Sequence, residues 1–406
     1  MSFRVAALLL AGALTGCVGA RPVVVAPATA PIATLPRGVA DSVSSMRLQE
    51  GLVLHHLVRN AGPLRIDVLD VDLTGCVTLQ ALKGGSTAIG RRTTSAMLES
   101  ALMHDRSVAA AVNADFFLFA PPGVPVGALV EDWRIITGPI ERPVLAFDAR
   151  NLPFIGPMAV ATTVRSTRDS VVATTWNRPR AQAVGIVDAA WAQALDSVIR
   201  PTARVLVPLG TGRGTNARYL VWPLPAAHPG IALGDTLMLT GRGTTGLADG
   251  DTVTLQTTWS PVRPWQAVGG FPLLLRDSLW SPTLDTDGAE GFRGRNPRTA
   301  AGYTRDKGRL FLVVIDGRQP GYSIGTTTRE TADVLRSLGA VDAINLDGGG
   351  SSVLVVRDDP ASPRARVVSR PSDAAGERPV GDALSVRASC GHGVPPRRAP
   401  AGTVVP

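Results

Sequence analysis

The stretch AINLDGGGSSVLVV, residues 343–356, decides how the rest of the chain is read. Apolar, β-branched residues flank its centre, so two short strands, 340–346 and 353–356, are expected on either side of three consecutive glycines. Gly348, Gly349 and Gly350 carry no β-carbon, which lets the backbone approach a ligand closely and adopt positive φ. Asn345 and Asp347 are two residues apart, the repeat of a strand, and so point to one side. Ser351 and Ser352 add hydroxyls, and the glycine N–H groups are candidates for an anion-binding concavity. A tight hairpin that merely tolerates glycine is the alternative. The stretch is not a P-loop, because no Gly-Lys-[Ser/Thr] ending exists and a strand follows. Nor is it a nucleophile elbow, which requires Gly-x-Ser-x-Gly.

Upstream, residues 328–338 open with threonine caps, carry Ala332, Val334, Leu335 and Leu338 at helical spacing, and stop at Gly339. Residues 310–315 form a continuous apolar run ended by Asp316-Gly317, as a buried strand would be. A second helix is expected over 94–104, and further strands at 65–73 and from 250 to 255. No internal repeat is present. The fold class is α+β, a strand-rich mixed-sheet core with a few packed helices.

Other segments place chemistry beside the glycine stretch. Arg298 precedes one strand and Arg318 follows the end of another. Two guanidinium groups suit a phosphate, because each offers a planar fork of donors; each arginine alone is more often a solvated charge. Asp316 is placed to pair with Arg318 or another arginine. Asn113 and Asp115 are embedded in an apolar run, where an unpaired charge is costly. Phe116 and Phe117 either line a pocket or fill core. Arg370-Pro371-Ser372-Asp373 and Glu377-Arg378-Pro379-Val380 make a fourth segment.

The 406 residues suffice for one large domain or two ordinary ones, and 45% apolar with 18% charged residues argues against a disordered or coiled-coil chain. The net charge of +8 comes almost entirely from arginine, with lysine only at Lys83 and Lys307. No basic block with interleaved aromatics appears, so no nucleic-acid partner is expected. Five scattered histidines and three cysteines without a CxxC pair do not make a zinc site. No cofactor is expected, and oligomeric state and metal binding are left open.

The N-terminus, MSFRVAALLLAGALTGC, has one arginine and an apolar run too short to span a bilayer. Leu14-Thr15-Gly16-Cys17 resembles the bacterial lipobox, which implies a signal peptide over 1–16 and a lipid on Cys17; an ordinary secretory signal is the alternative. The expected location is then the cell envelope, with membrane contact through the lipid and, in a cell with two membranes, the outer one. Residues 17–45 are read as a Pro/Ala-rich tether, 46–390 as the folded domain, and 391–406 as a disordered tail. In an oxidising compartment Cys76 and Cys390 are candidates for a disulfide, with two free thiols as the alternative.

Together the segments resemble the phosphodiester glycosidase family, whose animal member is the lysosomal uncovering enzyme for mannose-6-phosphate tags. The family's Asn-x-Asp/Gly-Phe-Phe is matched at Asn113 to Phe117, and its Gly-Gly-x-Pro-x-Leu at Gly269 to Leu274. Its Pro-Arg-Thr-Ala, Val-Asp-Gly-Arg, Asn-Leu-Asp-Gly-Gly-Gly-Ser-Ser and Pro-Ser-Asp…Glu-Arg-Pro-Val segments begin at Pro297, Ile315, Asn345 and Pro371. Trp176 to Arg180 resembles its Asn-x-x-Arg stretch. The likeness runs from about residue 46 to 388 in the family's order, with the most specific motifs between 110 and 388. Departures fall at Gly185-Ile186-Val187-Asp188 and at Ser323-Ile324-Gly325-Thr326.

The resemblance implies a hydrolase that cuts the anomeric C–O bond of a sugar-1-phosphodiester or phosphoglycan, of the N-acetylglucosamine-1-phosphodiester type. Asp347, Asp316 and Asp115 are then candidates for nucleophile, base or electrostatic stabiliser. Arg298, Arg318 and the N–H groups of Gly348, Gly349 and Gly350 would hold the phosphate. Asn113, Asn345, Thr299, Ser351 and Ser352 would orient sugar hydroxyls. A hydrolase of ordinary glycosides, a non-catalytic polysaccharide-binding lipoprotein and a P–O-cleaving phosphodiesterase are the competing readings.

Overall fold

Residues 310–315 are apolar at every position because both faces of their strand are covered. In the computed structural model, Leu310, Leu312 and Val314 enter one core while Phe311, Val313 and Ile315 enter another. The structure describes residues 39–210, 217–286, 294–359 and 361–389, all of which fall in one compact unit. The expected signal peptide, Cys17, Cys390 and the expected tail lie outside the described residues. Cys76 is disulfide-bonded.

The strand Arg309–Ile315 sits inside an eight-stranded antiparallel sheet. Its order is Ser42–Gln49, Leu52–Arg59, Leu64–Asp72, Arg309–Ile315, Arg298–Tyr303, Asp342–Asn345, Leu273–Arg276, Leu279–Trp280. One face packs on the helix Thr328–Ser337, through Ala332, Val334 and Leu335. That helix starts with a capping box, in which Thr327 accepts from Glu330 N and the Glu330 carboxylate accepts from Thr327 N. The opposite face packs on two five-stranded sheets. One of these runs Arg366–Val367, Leu354–Val356, Val108–Asn113, Asp382–Ala388, Val77–Lys83. The helix Thr94–Leu102 covers its outer side through Leu98 and Leu102. The layers are therefore helix, sheet, sheets, helix, the strand-rich α+β arrangement expected from the sequence. Among the described residues no helix is long and apolar enough to cross a membrane.

The sequence placed the start of the folded domain too late. Ser42–Gln49 is a strand, paired with Leu52–Arg59 across a turn in which Gly51 has a φ of 73°. It is an edge strand with most side chains exposed, so its backbone pairing leaves no hydrophobic alternation to read.

Between residues 159 and 260 the chain builds another eight-stranded sheet with its own core around Leu206, Val221, Leu239 and Val253. Its pairings are antiparallel except for Thr175–Trp176 with Gly185–Val187, which run parallel. Asn177 fastens this lobe to the rest. Its amide donates to Ile135 O, Ile136 O and Asp188 Oδ1 at 3.2, 3.1 and 2.8 Å, and its Oδ1 accepts from Asp188 N at 2.8 Å. The residue is fully buried at a φ of 49°, a region asparagine tolerates better than most residues. Asp188, one of the departures from the family pattern, is thereby the fixed partner of Asn177.

Asn177→Ala should lower stability by about 2–4 kcal/mol, from several lost buried hydrogen bonds and a β-carbon at positive φ. Asn177→Gly should cost about 1 kcal/mol less, since it removes the side chain but not the backbone freedom. Urea unfolding of the two variants measures this; equal losses would remove the conformational part of the argument.

Candidate active site

Four chain segments end at the same edge of the facing sheets. Arg298 begins a strand, Ile315 ends the neighbouring one two residues before Gly317-Arg318, and Asn345 ends a third just before Asp347. From the facing sheet, the strand Val108–Asn113 ends immediately before Asp115 and Phe116. Asn113 ties these ends together. Its amide donates to Asp347 O at 2.7 Å, and its Oδ1 accepts from Thr299 Oγ1 at 2.6 Å and Val353 N at 3.0 Å.

Beside this knot opens a cleft of about 200 Å³, lined by Phe116, Asn296, Arg298, Arg318, Asn345, Asp347, the three glycines 348–350 and Arg378. The glycines are required by what crowds them. A β-carbon at Gly349 would lie 3.0 Å from Arg318 Nη2, and one at Gly350 would lie 2.1 Å from Asp373 Oδ1 and 2.2 Å from Arg378 Nη2. Each guanidinium is held in place. Arg318 donates through Nε and Nη2 to Asn296 Oδ1 at 3.0 and 2.9 Å. Arg378 makes a two-pronged pair with Asp373 at 2.8 and 3.0 Å. Arg298 is buried and donates to Thr326 O at 3.0 Å and Gly294 O at 2.7 Å. Burial, and then the nearby charge of Arg318, bring its pKa down to about 10, so it remains cationic at neutral pH.

Asp347 is the sole acid among the described lining residues. Burial pushes its pKa up to about 6; the Ser351 hydroxyl, the Gly348 N–H and the Arg378 charge oppose that shift. It is therefore mostly ionised at neutral pH but close enough to its pKa to exchange a proton.

The structure places the other expected site residues in different positions. Asp115 is fully buried outside the lining, where it accepts from Phe116 N and Gly127 N and fixes the ends of the 116–127 loop. Burial raises its pKa to about 7 against those N–H groups and the charge of Arg178. Gly269 and Gly270 are glycines because a β-carbon would meet Asp115 Oδ2 and Asn345 O, each at 2.6 Å. Asp316 is also outside the lining. It does not pair with Arg318 but accepts from Arg370 N at 2.9 and 3.1 Å. Burial and then the adjacent Asp67 charge raise its pKa to about 7. Asn113 and Thr299 commit their polar atoms to each other and the backbone, so they shape the site without facing it. Asn345 lines the cleft while its amide donates to Phe271 O and Leu346 O at 2.7 and 2.6 Å. Ser351 is buried beside Asp347, and Ser352 is buried without lining the cleft.

The expected row of glycine N–H donors needs correction. Gly348 N donates to Asp347 Oδ1 at 2.9 Å and Gly349 N to Pro297 O at 2.9 Å, so neither is presented to a ligand. Asn296, Arg378 and Asp382 were not singled out as site residues from the sequence. Asn296 immediately precedes the motif at Pro297 and Arg378 stands inside the quoted Glu377-Arg378-Pro379-Val380 segment, while Asp382 looks like any charged residue at a strand start. Among the described residues no group of three or more His, Cys, Asp or Glu side chains is arranged to hold a metal ion.

Gly350→Ala should destabilise by about 1–3 kcal/mol, the usual cost of overpacking, because the new methyl collides with the Asp373–Arg378 pair. Gly75→Ala, where nothing lies within 4 Å, should stay within about 0.5 kcal/mol of the parent. Thermal melting of both variants decides; equal behaviour would mean that the arginine wall moves aside freely.

The family profile described as phosphodiester glycosidase matches residues 235–387. No curated protein matches the chain. Among solved structures, a Synechocystis protein described as hypothetical superposes with a TM-score of 0.65 at 21% identity, covering 86% of this chain and 64% of that one. The chain thus spans less than two thirds of that protein's length. A Burkholderia pseudomallei K96243 protein, provisionally described as exported, gives 0.59 at 25% identity over 80% of this chain and 74% of its own. The catalytic domain of zebrafish N-acetylglucosamine-1-phosphodiester alpha-N-acetylglucosaminidase, auto-inhibited by its pro-peptide, gives 0.45 at 14% identity over 85% and 87%. The matched segment carries every lining residue of the cleft except Phe116, and over it the chain is similar to the phosphodiester glycosidase family.

Proposed function

We propose that the chain hydrolyses the anomeric C–O bond of a sugar-1-phosphodiester in an exported glycan, N-acetylglucosamine-1-phosphodiester being the reference substrate. The observation that carries this reading is the charge make-up of the cleft: three guanidinium groups and, among the described residues, one carboxyl. An ordinary glycosidase needs two carboxyl groups, because one must protonate an alkoxide-like leaving group. A phosphate leaves as a stabilised anion, so cations can take the place of the second acid. Arg378 is paired with Asp373, and the scheme assigns Arg298 and Arg318 to the phosphodiester and Asp347 to the sugar.

In this scheme Arg298 and Arg318 grip the phosphate and stabilise the charge that grows on it as the bond breaks. Asp347, ionised at neutral pH, faces the positive charge developing at the anomeric carbon. Water supplies the hydroxyl that ends on the sugar, and the phosphate departs on the other fragment as a monoester. Asn345 and Phe116 bound the sugar side. Asp115 and Asp316 act through what they hold, the 116–127 loop and the link from the Arg318 loop to the 370–378 wall. Export and lipid attachment at Cys17 are part of the proposal and rest on the N-terminal sequence pattern.

Arg318→Lys keeps the charge but loses the fork that Asn296 orients. It should lower kcat/KM on a sugar-1-phosphodiester by about 1.5–3 kcal/mol, roughly ten- to a hundred-fold. A glycoside of the same sugar with an activated phenol leaving group should lose much less. Equal losses on both substrates, with an unchanged melting temperature, would move ordinary glycoside hydrolysis ahead of this reading.

A further inference from the structure

Behind the cleft wall lies a third buried acid that the scheme above does not use. Asp382 begins the strand Asp382–Ala388 and is fully buried. Its Oδ1 accepts from Asp115 N at 2.8 Å and its backbone carbonyl from Ala114 N at 3.3 Å. On the other side of the same segment, Asp347 N donates to Ala114 O at 2.7 Å. The peptides 114–116 are therefore held between Asp382 and Asp347, and they carry Phe116 into the cleft.

The surroundings of Asp382 do not suit a negative charge. Its Oδ2 is buried and has no hydrogen-bond partner among the described residues. The charged groups that act on it are both carboxyls, Asp115 and Asp347. Nearby cations are engaged elsewhere. Lys83, its register partner on the adjacent strand, pairs with Glu131 at 2.6 Å; Arg178 acts on Asp115; Arg378 pairs with Asp373. A buried carboxylate without a cation and beside two like charges takes up a proton instead.

We propose that Asp382 is a positioning residue of this site: a carboxylic acid kept neutral, whose oxygen fixes the 114–116 peptides and whose lack of charge leaves Asp347 free to ionise. The inference builds on the cleft being the active site. Burial first, and then Asp115, hold the acid well above its ordinary range, in line with the geometry.

An acid whose folded pKa is raised costs stability as pH climbs from its unfolded value of 3.8 toward the folded one. Asp382→Asn keeps the acceptor and cannot ionise. Its melting temperature should match the parent near pH 4 and rise above it progressively toward pH 8. Each pH unit within that window is worth up to about tenfold in the folding constant. A protonated-carboxyl band in the infrared spectrum at neutral pH should also weaken in Asp382→Asn. A pH-independent difference in melting, or an unchanged band, would overturn the proposal. Both readouts need no substrate, so they judge the proton separately from the phosphodiester reading. For positioning, Asp382→Asn should rescue the turnover that Asp382→Ala loses by more than tenfold. Equal losses in the two variants would show that a carboxylate charge is required, and would refute the neutral acid.

Discussion

The site depends on one buried amide. Asn113 reaches from the strand Val108–Asn113 across to Thr299 and to the backbone on both sides of the glycine stretch. Asn113 is fully buried, and an amide that lost these contacts would leave several polar groups unmatched, each at about 1–3 kcal/mol. These bonds fasten the two sheets at this edge and hold the backbone of Asp347 where its carboxyl lines the cleft. The outward appearance of the site, a glycine-rich loop with arginines, is a consequence of that inner joint.

Around the joint, charge is arranged by fixing cations and isolating anions. Each arginine at the cleft has its fork aligned by a fixed partner: Asn296 for Arg318, Asp373 for Arg378, and backbone carbonyls for Arg298. Such alignment lowers the reorganisation needed when charge develops on a ligand. Asp115 and Asp316, behind the wall, are each enclosed by different partners, and burial lifts their proton affinities.

Much of this was legible in the sequence where local pattern and chemistry coincide. The strands at 64–72 and 309–315 and the helix at 328–337 fell within a residue of expectation, because continuous burial and caps leave a direct imprint. The convergence of Arg298, Arg318, Asn345 and Asp347 was also legible, since each stands at a strand end. What could not be read was direction within the knot. Asn113 and Thr299 look like sugar-binding polar residues until their partners 186 residues apart in sequence are seen. Asp316 looked like a partner for Arg318, but the positive φ at Arg318 turns the chain, and Asp316 meets Arg370 N instead. Gly348 and Gly349 showed where backbone comes close but not what it meets, and the answer was protein rather than ligand. Apart from the strand expected from 250 to 255 and found at 252–260, the lobe between 159 and 260 left a weak imprint, because most of its strands are short and many side chains face solvent.

The central claim is that the bond broken lies between sugar and phosphate oxygen. Hydrolysis of an N-acetylglucosamine-1-phosphodiester in isotopically labelled water tests it most directly. The account predicts that the heavy oxygen appears in the hydroxyl on the anomeric carbon of the freed sugar, with none in the phosphate. Label in the phosphate, with the sugar released as its 1-phosphate, would contradict it and assign the arginine cleft to phosphoryl chemistry.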